Sequence, residues 1–432
     1  MYQVTEQSGK VIFSDAIENV KVTLAKENFR GLMQLNEPAA LKWPEGASEA
    51  FQNPIGSAPL HQIARGAQKV AIIVSDASRG IPTAKILPFV VTELTAAGVR
   101  PEQITVVVAT GVHRPANSEE ISAILGPKYA GKLKVLNHQP FRQEQLKYLG
   151  ETSFGTPVEV NKTVWESDFR IAIGKVEPHE FAGFSGGRKS VLPGISSEKT
   201  IEINHRPEML LHPEARPGEL EKNPISLDML EAAQLLGINF IVNLVLNSAG
   251  EIIGLFTGSL KEAHLQAVQF MRSFCQFNFK TQPDIIVTTP GRPLNIDFYQ
   301  SIKPLIALGP VMKAGNILVL YSACTDGMGT EDMLIPYEGA TTPAEVIERL
   351  KQNYKIQMDH ALLLCKILQK GVKVVATSPR VPAETLRRLF IEPAATPQQA
   401  LEKALAMTGK TDAQVVFFPQ PQRALVTNNS FT

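Results

Sequence analysis

Four short segments of this 432-residue chain gather the side-chain types that hold anions and move protons. The first is Ser75-Asp76-Ala77-Ser78-Arg79-Gly80-Ile81-Pro82, which sets an acid, hydroxyls and a guanidinium before a Pro suited to a first helical turn. Asp76 or Ser78 could equally cap that helix. The second, Thr110-Gly111-Val112-His113-Arg114-Pro115, uses a glycine turn to bring forward one imidazole. The third runs Lys175-Val176-Glu177-Pro178-His179 into Phe181-Ala182-Gly183-Phe184-Ser185-Gly186-Gly187-Arg188-Lys189-Ser190, then Pro193-Gly194 and Asn204-His205-Arg206-Pro207. Its glycines let backbone N–H groups approach an anion, and Arg188 and Lys189 add positive charge, so a phosphate-bearing cofactor is expected. The fourth, Tyr299-Gln300-Ser301-Ile302-Lys303, sets a phenol and an ammonium four residues apart on one helical face, with an amide beside them. His113, His179 and His205 share similar turn contexts, enough for a metal ligand plus one or two acid/base groups. His61, His138, His212, His264 and His360 lack such settings and are assigned no role.

These segments need a scaffold, and the apolar pattern supplies one. Runs such as KVAIIVS at 69–75, QITVVVATG at 103–111, DFRIAIG at 168–174 and NFIVNLVLN at 239–247 are nearly continuous, as in strands covered on both faces. LKVLNH at 133–138 and PVEVNKTV at 157–164 are further strand candidates, and a helix begins near Pro82. The rhythm restarts with PDIIVTT at 283–289, a helix over 297–308, GNILVLYS at 315–322, helices near 343–352 and 359–369, and VKVVATS at 372–378. The chain therefore reads as two α/β domains with largely parallel or mixed sheets, 1–277 and 278–410, joined near 277–282. The run AQVVFFP at 413–419 suits either domain, and the tail 411–432 is assigned to the first. In open sheets of this kind ligands lie beyond the carboxyl ends of strands, where the first three segments fall.

Composition narrows the partners. Lys plus Arg number 43 against 42 Asp plus Glu, so no excess of positive charge exists for a phosphate backbone or an anionic membrane. Cys275, Cys324 and Cys365 are scattered and lack CxxC spacing, which argues against disulfides and a thiolate metal site. No apolar run reaches signal-peptide or membrane-span length, so a cytoplasmic protein is expected, with neither nucleic acid nor membrane as partner.

Taken in order, Ser75 to Arg79, Ala109 to Pro115, Glu177-Pro178-His179 through Lys189 with Pro193-Gly194, Asn204-His205 and Tyr299 to Lys303 resemble the nickel-dependent lactate racemase family. The resemblance implies a two-domain enzyme with an interdomain active-site cleft, inverting C2 of a 2-hydroxy acid through a 2-keto acid. It also implies a nickel-pincer nucleotide, a pyridinium mononucleotide whose ring carbon and two sulfur substituents hold Ni(II). Carried over by motif, Lys189 would be its covalent tether and His205 the nickel ligand, with Asp76, Ser75, Gly186, Gly187 and Arg188 around the cofactor. His113 and His179 would be the acid/base pair, and Arg79, Lys303, Tyr299 and Gln300 would hold the substrate. Cofactor-synthesis enzymes would be transient partners.

Two departures bear on the substrate. Lactate racemases of this type carry a Trp in the second domain, whereas Trp43 and Trp165 both lie in the first, so the pocket wall must differ. Ser78 stands where Thr is usual. Two other readings compete. The stretch from Gly183 to Ser190 resembles the phosphate loop GxxxxGK[ST], except that Arg188 replaces its second glycine, which would make a nucleotide-dependent enzyme. A non-catalytic protein binding a hydroxy acid or nucleotide is the other.

Overall fold

The computed structural model describes residues 2–428. The chain separates into two compact units, Glu37–Phe274 and Met1–Asn36 with Cys275–Thr432.

The first unit is built on a six-stranded sheet in the order Ile252–Gly258, Phe240–Leu246, Phe169–Lys175, Val70–Ser75, Ile104–Ala109, Lys134–Asn137. All neighbours are parallel except the edge pair of Phe240–Leu246 with Ile252–Gly258. The continuous apolar runs have the expected cause: Val70, Ala71, Ile72, Ile73 and Val74 are all buried, which only a central strand covered on both faces allows. Helix Thr83–Ala96 lays Ile86, Leu87, Val90, Val91 and Leu94 on the sheet at helical spacing. Burying such side chains contributes about 1.5–3 kcal/mol each. Of the expected strands, 157–164 departs from the sheet. Pro157–Asn161 pairs with Leu146–Glu151 and, at Val160, bridges to Ser196, and Asn161 caps the helical turn Lys162–Trp165 by accepting the Val164 N–H.

Strand order creates a switch point. From Val70–Ser75 the chain steps outward to Ile104–Ala109 and Lys134–Asn137, then returns to Phe169–Lys175 on the opposite flank. The connections leaving Val70–Ser75 and Phe169–Lys175 thus diverge and open a crevice at their carboxyl ends. Ser75 closes one of those strands and Lys175 the other.

The second unit carries a six-stranded, all-parallel sheet in the order Glu392–Pro393, Lys373–Thr377, Ile317–Tyr321, Ile285–Thr288, Val415–Phe417, Phe29–Leu32. Its membership differs from the expected division. The tail was assigned to the first domain, yet Val415–Phe417 pairs with Ile285–Thr288, because a strand apolar on both faces has to be flanked on both sides. Phe29–Leu32 covers its outer side, and the antiparallel meander Tyr2–Gln7, Lys10–Asp15, Val20–Ala25 packs Phe13, Val22 and Leu24 into the same core. Residues 2–36 therefore belong with the second unit. The expected helix over 297–308 is split into Phe298–Ser301 and Lys303–Leu308, where Pro304 lacks the N–H that would continue the ladder. Cys275, Cys324 and Cys365 are buried thiols. Among the described residues no helix is long and apolar enough to cross a membrane.

Candidate active site

The first acid/base candidate is assembled across the switch point. Asp76 caps the short turn Ala77–Arg79, its Oδ1 accepting the Ser78 N–H at 2.8 Å and the Ser78 hydroxyl as well. Its Oδ2 accepts from His113 Nδ1 at 3.0 Å. Burial alone would raise this carboxyl, but the hydrogen bond from His113, the Arg79 guanidinium and the imidazole itself hold it far below the ordinary carboxylate range. Since a carboxylate only accepts, Nδ1 carries the proton and Nε2 keeps its lone pair, which faces Arg79 Nη2 at 3.4 Å. Gly111 secures the loop bearing His113 by donating its N–H to the Gly194 carbonyl at 3.0 Å.

The second imidazole is placed by a small hairpin, Pro178–His179 against Gly183–Phe184. His179 Nε2 lies 3.1 Å from Lys189 Nζ, and its Nδ1 lies 3.4 Å from Glu180 Oε2. The Lys189 ammonium can only donate, so Nδ1 carries the proton toward Glu180. His179 thus repeats the plan of His113: carboxylate on one nitrogen, cation on the other. Phe181 joins this group to the third imidazole. It meets His179 edge to face at 4.6 Å and His205 at 4.9 Å between ring centroids, and Lys189 Nζ sits 5.5 Å from its centroid. His205 is buried, and its Nδ1 donates to the Ile201 carbonyl at 2.8 Å, which leaves Nε2 with the lone pair a metal would take.

The glycine-rich loop is packed rather than open. Gly186 has φ +83°, and a Cβ there would lie 2.6 Å from Val176 Cγ2 and 3.1 Å from the Lys175 carbonyl. Gly187 donates its N–H to Asn243 Oδ1 at 3.1 Å, while Asn243 Nδ2 is buried with no hydrogen-bond partner. Arg188 is buried and directs its guanidinium to the carbonyls of Ser226, Ala182 and Phe184. Its donors hold the loop itself, and burial lowers its pKa to about 10. Gly187–Ser190 is a single 3-10 turn reached from a hairpin, not the strand-to-helix junction that a phosphate loop requires.

In the second unit, Asp297 caps Phe298–Ser301 by accepting the Gln300 N–H at 2.7 Å, which presents Tyr299 and Gln300 on one turn with Lys303 opening the next. Tyr299 Oη donates to Asp359 Oδ1 at 2.7 Å. His360 stacks on the Tyr299 ring at 4.1 Å and donates from Nδ1 to the Tyr299 carbonyl at 2.7 Å. Gln300 Oε1 is buried without a hydrogen-bond partner. Of the two tryptophans, Trp43 packs edge-on against Phe89 and Trp165 lies beneath Lys147.

Sequence reasoning missed Glu180, Phe181, Asn243, Asp359 and His360. Glu180 and Phe181 lie inside a segment already singled out, and their adjacency to His179 was the available signal. No local signal marked Asp359 or His360. His138 and His264, given no role, are buried supports: His138 Nε2 donates to the Ser196 carbonyl at 2.8 Å and His264 Nε2 to the Ser185 carbonyl at 2.9 Å. Among the described residues no three His, Cys, Asp or Glu side chains gather as a protein-only metal site would need.

Comparison with known proteins gives a consistent picture. A family model described as the lactate racemase N-terminal domain matches residues 17–218, and one for the lactate racemase C-terminal domain matches 279–426. The lactate racemase of Thermoanaerobacterium thermosaccharolyticum is 31% identical over 381 residues, 87% of this chain and 89% of that protein. The lactate racemase of Lactiplantibacillus plantarum is 33% identical over 380 residues, with the same coverage of 87% and 89%. The structure of the T. thermosaccharolyticum apoprotein superposes with a TM-score of 0.86 at 30% identity, covering 94% of this chain and 97% of that one. A Thermotoga maritima protein of solved structure shares the fold, with a TM-score of 0.68 at 18% identity over 86% of this chain and 96% of its own.

Proposed function

The chain belongs to the lactate racemase family and is an isomerase, and we propose that it inverts C2 of a 2-hydroxy acid, lactate or a relative of it, through a planar 2-keto acid. The observation that carries this reading is the pair His113 and His179, each with a carboxylate on Nδ1 and a cation on Nε2. A one-way oxidation needs one such group, and inversion needs two.

The residues present fit the family's nickel-pincer nucleotide. Lys189 offers a partly buried amine as tether, His205 a lone pair at Nε2 as nickel ligand, and Asn243 an unsatisfied buried donor beside the Gly186-Gly187 turn. When bound, that group supplies reversible acceptance of hydride, which the weakly acidic C2–H of a hydroxy acid requires.

The chain's own residues do the rest. Arg79 and Lys303 bind the substrate carboxylate, and a carboxylate that engages the Arg79 donors leaves His113 Nε2 to the C2 hydroxyl. His113 accepts the hydroxyl proton there as the C2 hydrogen departs with its electron pair, and Asp76 stabilises the imidazolium through Nδ1. For the opposite enantiomer, His179 would have to take up a proton at Nε2 and deliver it to the carbonyl oxygen of the 2-keto acid, with Glu180 orienting the ring through Nδ1. Tyr299 and Gln300 complete the substrate contacts. The proposal includes a cytoplasmic setting, a small 2-hydroxy acid as substrate and cofactor-synthesis enzymes as transient partners.

The test uses protein produced with the cofactor pathway, incubated in D2O with a panel of single-enantiomer 2-hydroxy acids. Inversion with the original hydrogen retained at C2 in the NMR spectrum is expected. Inversion with deuterium incorporated at C2 would mean proton abstraction and overturn the hydride step, and no inversion of any member would overturn the reading.

A further inference from the structure

Strand Phe240–Leu246 is buried along its whole length and apolar at every position but one, Asn243, which is 0% exposed. An amide buried this deeply is unfavourable unless both of its ends are paired, and here only one is. Its Oδ1 accepts the Gly187 N–H at 3.1 Å, while its Nδ2 has no partner among the described residues. A valine would suit the strand better and leave no donor bare. What the amide supplies and an apolar side chain cannot is a fixed acceptor for one N–H of the turn Gly187–Ser190, and that turn carries Lys189.

The surroundings make this single bond a means of placement. Asn243 is in register with Gly174 on the adjacent strand, and a Cβ on Gly174 would lie 3.6 Å from both Gly186 Cα and Ser190 Oγ. The side chain that Gly174 lacks thus lets both ends of the turn settle on the sheet, and Asn243 beside it provides the polar contact. Gly187 is confined from a second side, since a Cβ there would lie 3.1 Å from the His264 ring. The bonds of Arg188 run to the loop itself and to helix Pro224–Leu236, whereas that of Asn243 runs to a strand flanked on both sides. Around Lys189 the backbone is closed: its N–H donates to the Gly186 carbonyl and its carbonyl accepts the Gly194 N–H, each at 3.1 Å. Only the side chain is left to adjust, and its Nζ lies 3.1 Å from His179 Nε2.

Resting on the reading of Lys189 as the cofactor's tether, we infer that Asn243 is a positioning residue for that attachment. It registers the turn on the sheet, so that the Lys189 amine is presented beside His179 where the covalent bond is made. Bond formation between held groups depends steeply on placement, and a displacement of about 1 Å can cost about 10²-fold.

The test uses protein made with the cofactor pathway. Intact mass gives the fraction of chains carrying the covalent adduct, and the thermal midpoint is measured on the same sample. Asn243→Val, which removes the acceptor, is expected to lower that fraction at least about tenfold while the midpoint is kept. Asn243→Asp, which keeps an oxygen for the Gly187 N–H, is expected to carry adduct at the level of the unaltered chain. Full adduct in Asn243→Val would overturn the inference. So would a loss of adduct that only accompanies a fall in the midpoint, because a purely structural Asn243 predicts that, or an Asn243→Asp chain that folds without adduct. Asn243→Ala, read by the same criteria, takes the place of Asn243→Val should the latter not fold. Absence of adduct from the unaltered chain would instead remove the tether reading itself.

Discussion

His113 and His179 share one plan and are held unequally. At His113 the carboxylate is Asp76, 8% exposed, kept ionised by its neighbours, fixed by Ser78 and 3.0 Å from Nδ1. At His179 the carboxylate is Glu180 at 3.4 Å, and the Ala182 N–H lies at the same 3.4 Å from Nδ1. A donor and an acceptor thus compete for one ring nitrogen of His179, and the ammonium of Lys189 on Nε2 decides between them. The difference teaches where each tautomer is set: by a buried anion behind His113, by the cation in front of His179. A carboxylate behind the ring is undisturbed when the reacting side of the imidazole changes partners, so His113 has the more constrained proton.

The comparison can be broken at its strongest point first. Lys189→Ala is expected to abolish inversion and to remove the covalent adduct from the intact mass of protein made with the cofactor pathway; an adduct that persists would place the tether elsewhere. Next, His113→Ala and His179→Ala should each lower kcat by about 10²–10⁴-fold, the range for removing a general acid or base. Full activity in either would end the two-base scheme.

The inequality itself is read from the carboxylates. Asp76→Asn should cost about 10²-fold or more in kcat, because the amide can present a donor to Nδ1 and favour the wrong tautomer. Glu180→Gln should cost less than about tenfold, because Glu180 stands farther from its imidazole, at 3.4 Å, than Asp76 does at 3.0 Å, and shares Nδ1 with the Ala182 N–H. Equal losses would show that the two imidazoles are held alike.

The smallest effect concerns imidazoles outside the pair. Burial lowers the pKa of His138 to about 4, and burial with the Arg188 charge lowers that of His264 to about 3. The unfolded chain takes up a proton at each near pH 6.5, whereas the fold resists until those lower values. Stability from this source is therefore complete above about pH 6.5 and falls by about 1.4 kcal/mol per pH unit per histidine as pH drops towards 4. Denaturant melts between pH 7 and pH 4.5 check it, and His138→Gln should make the slope shallower.

Much of the site was legible because its residues sit in short runs at strand ends. Asp76 shows how far that goes: read either as a helix cap or as a site charge, it does both, capping Ala77–Arg79 with one oxygen and holding His113 with the other. Arg188 shows the limit. Its charge suggested an anion, but its donors go to the carbonyls of Ala182, Phe184 and Ser226, a destination that depends on how the loop folds over helix Pro224–Leu236. Phe181 escaped notice because an apolar residue in a polar motif carries no chemical signal, although it touches His179, His205 and Lys189 at once.

What the sequence alone determined is the order of the chemical segments and the alternation of buried strands with amphipathic helices. Both are local properties: a motif is contiguous, and a strand covered on both faces announces itself by its own side chains. Tertiary structure decided which carboxylate stands behind which imidazole, that Phe29–Leu32 and Val415–Phe417 complete the second sheet, and that Tyr299 yields its proton to Asp359 sixty positions away. Those are pairings between segments distant in the chain. Their hydrogen bonds and buried contacts exist only once the strand order has brought the partners together, so no local pattern of residues records them.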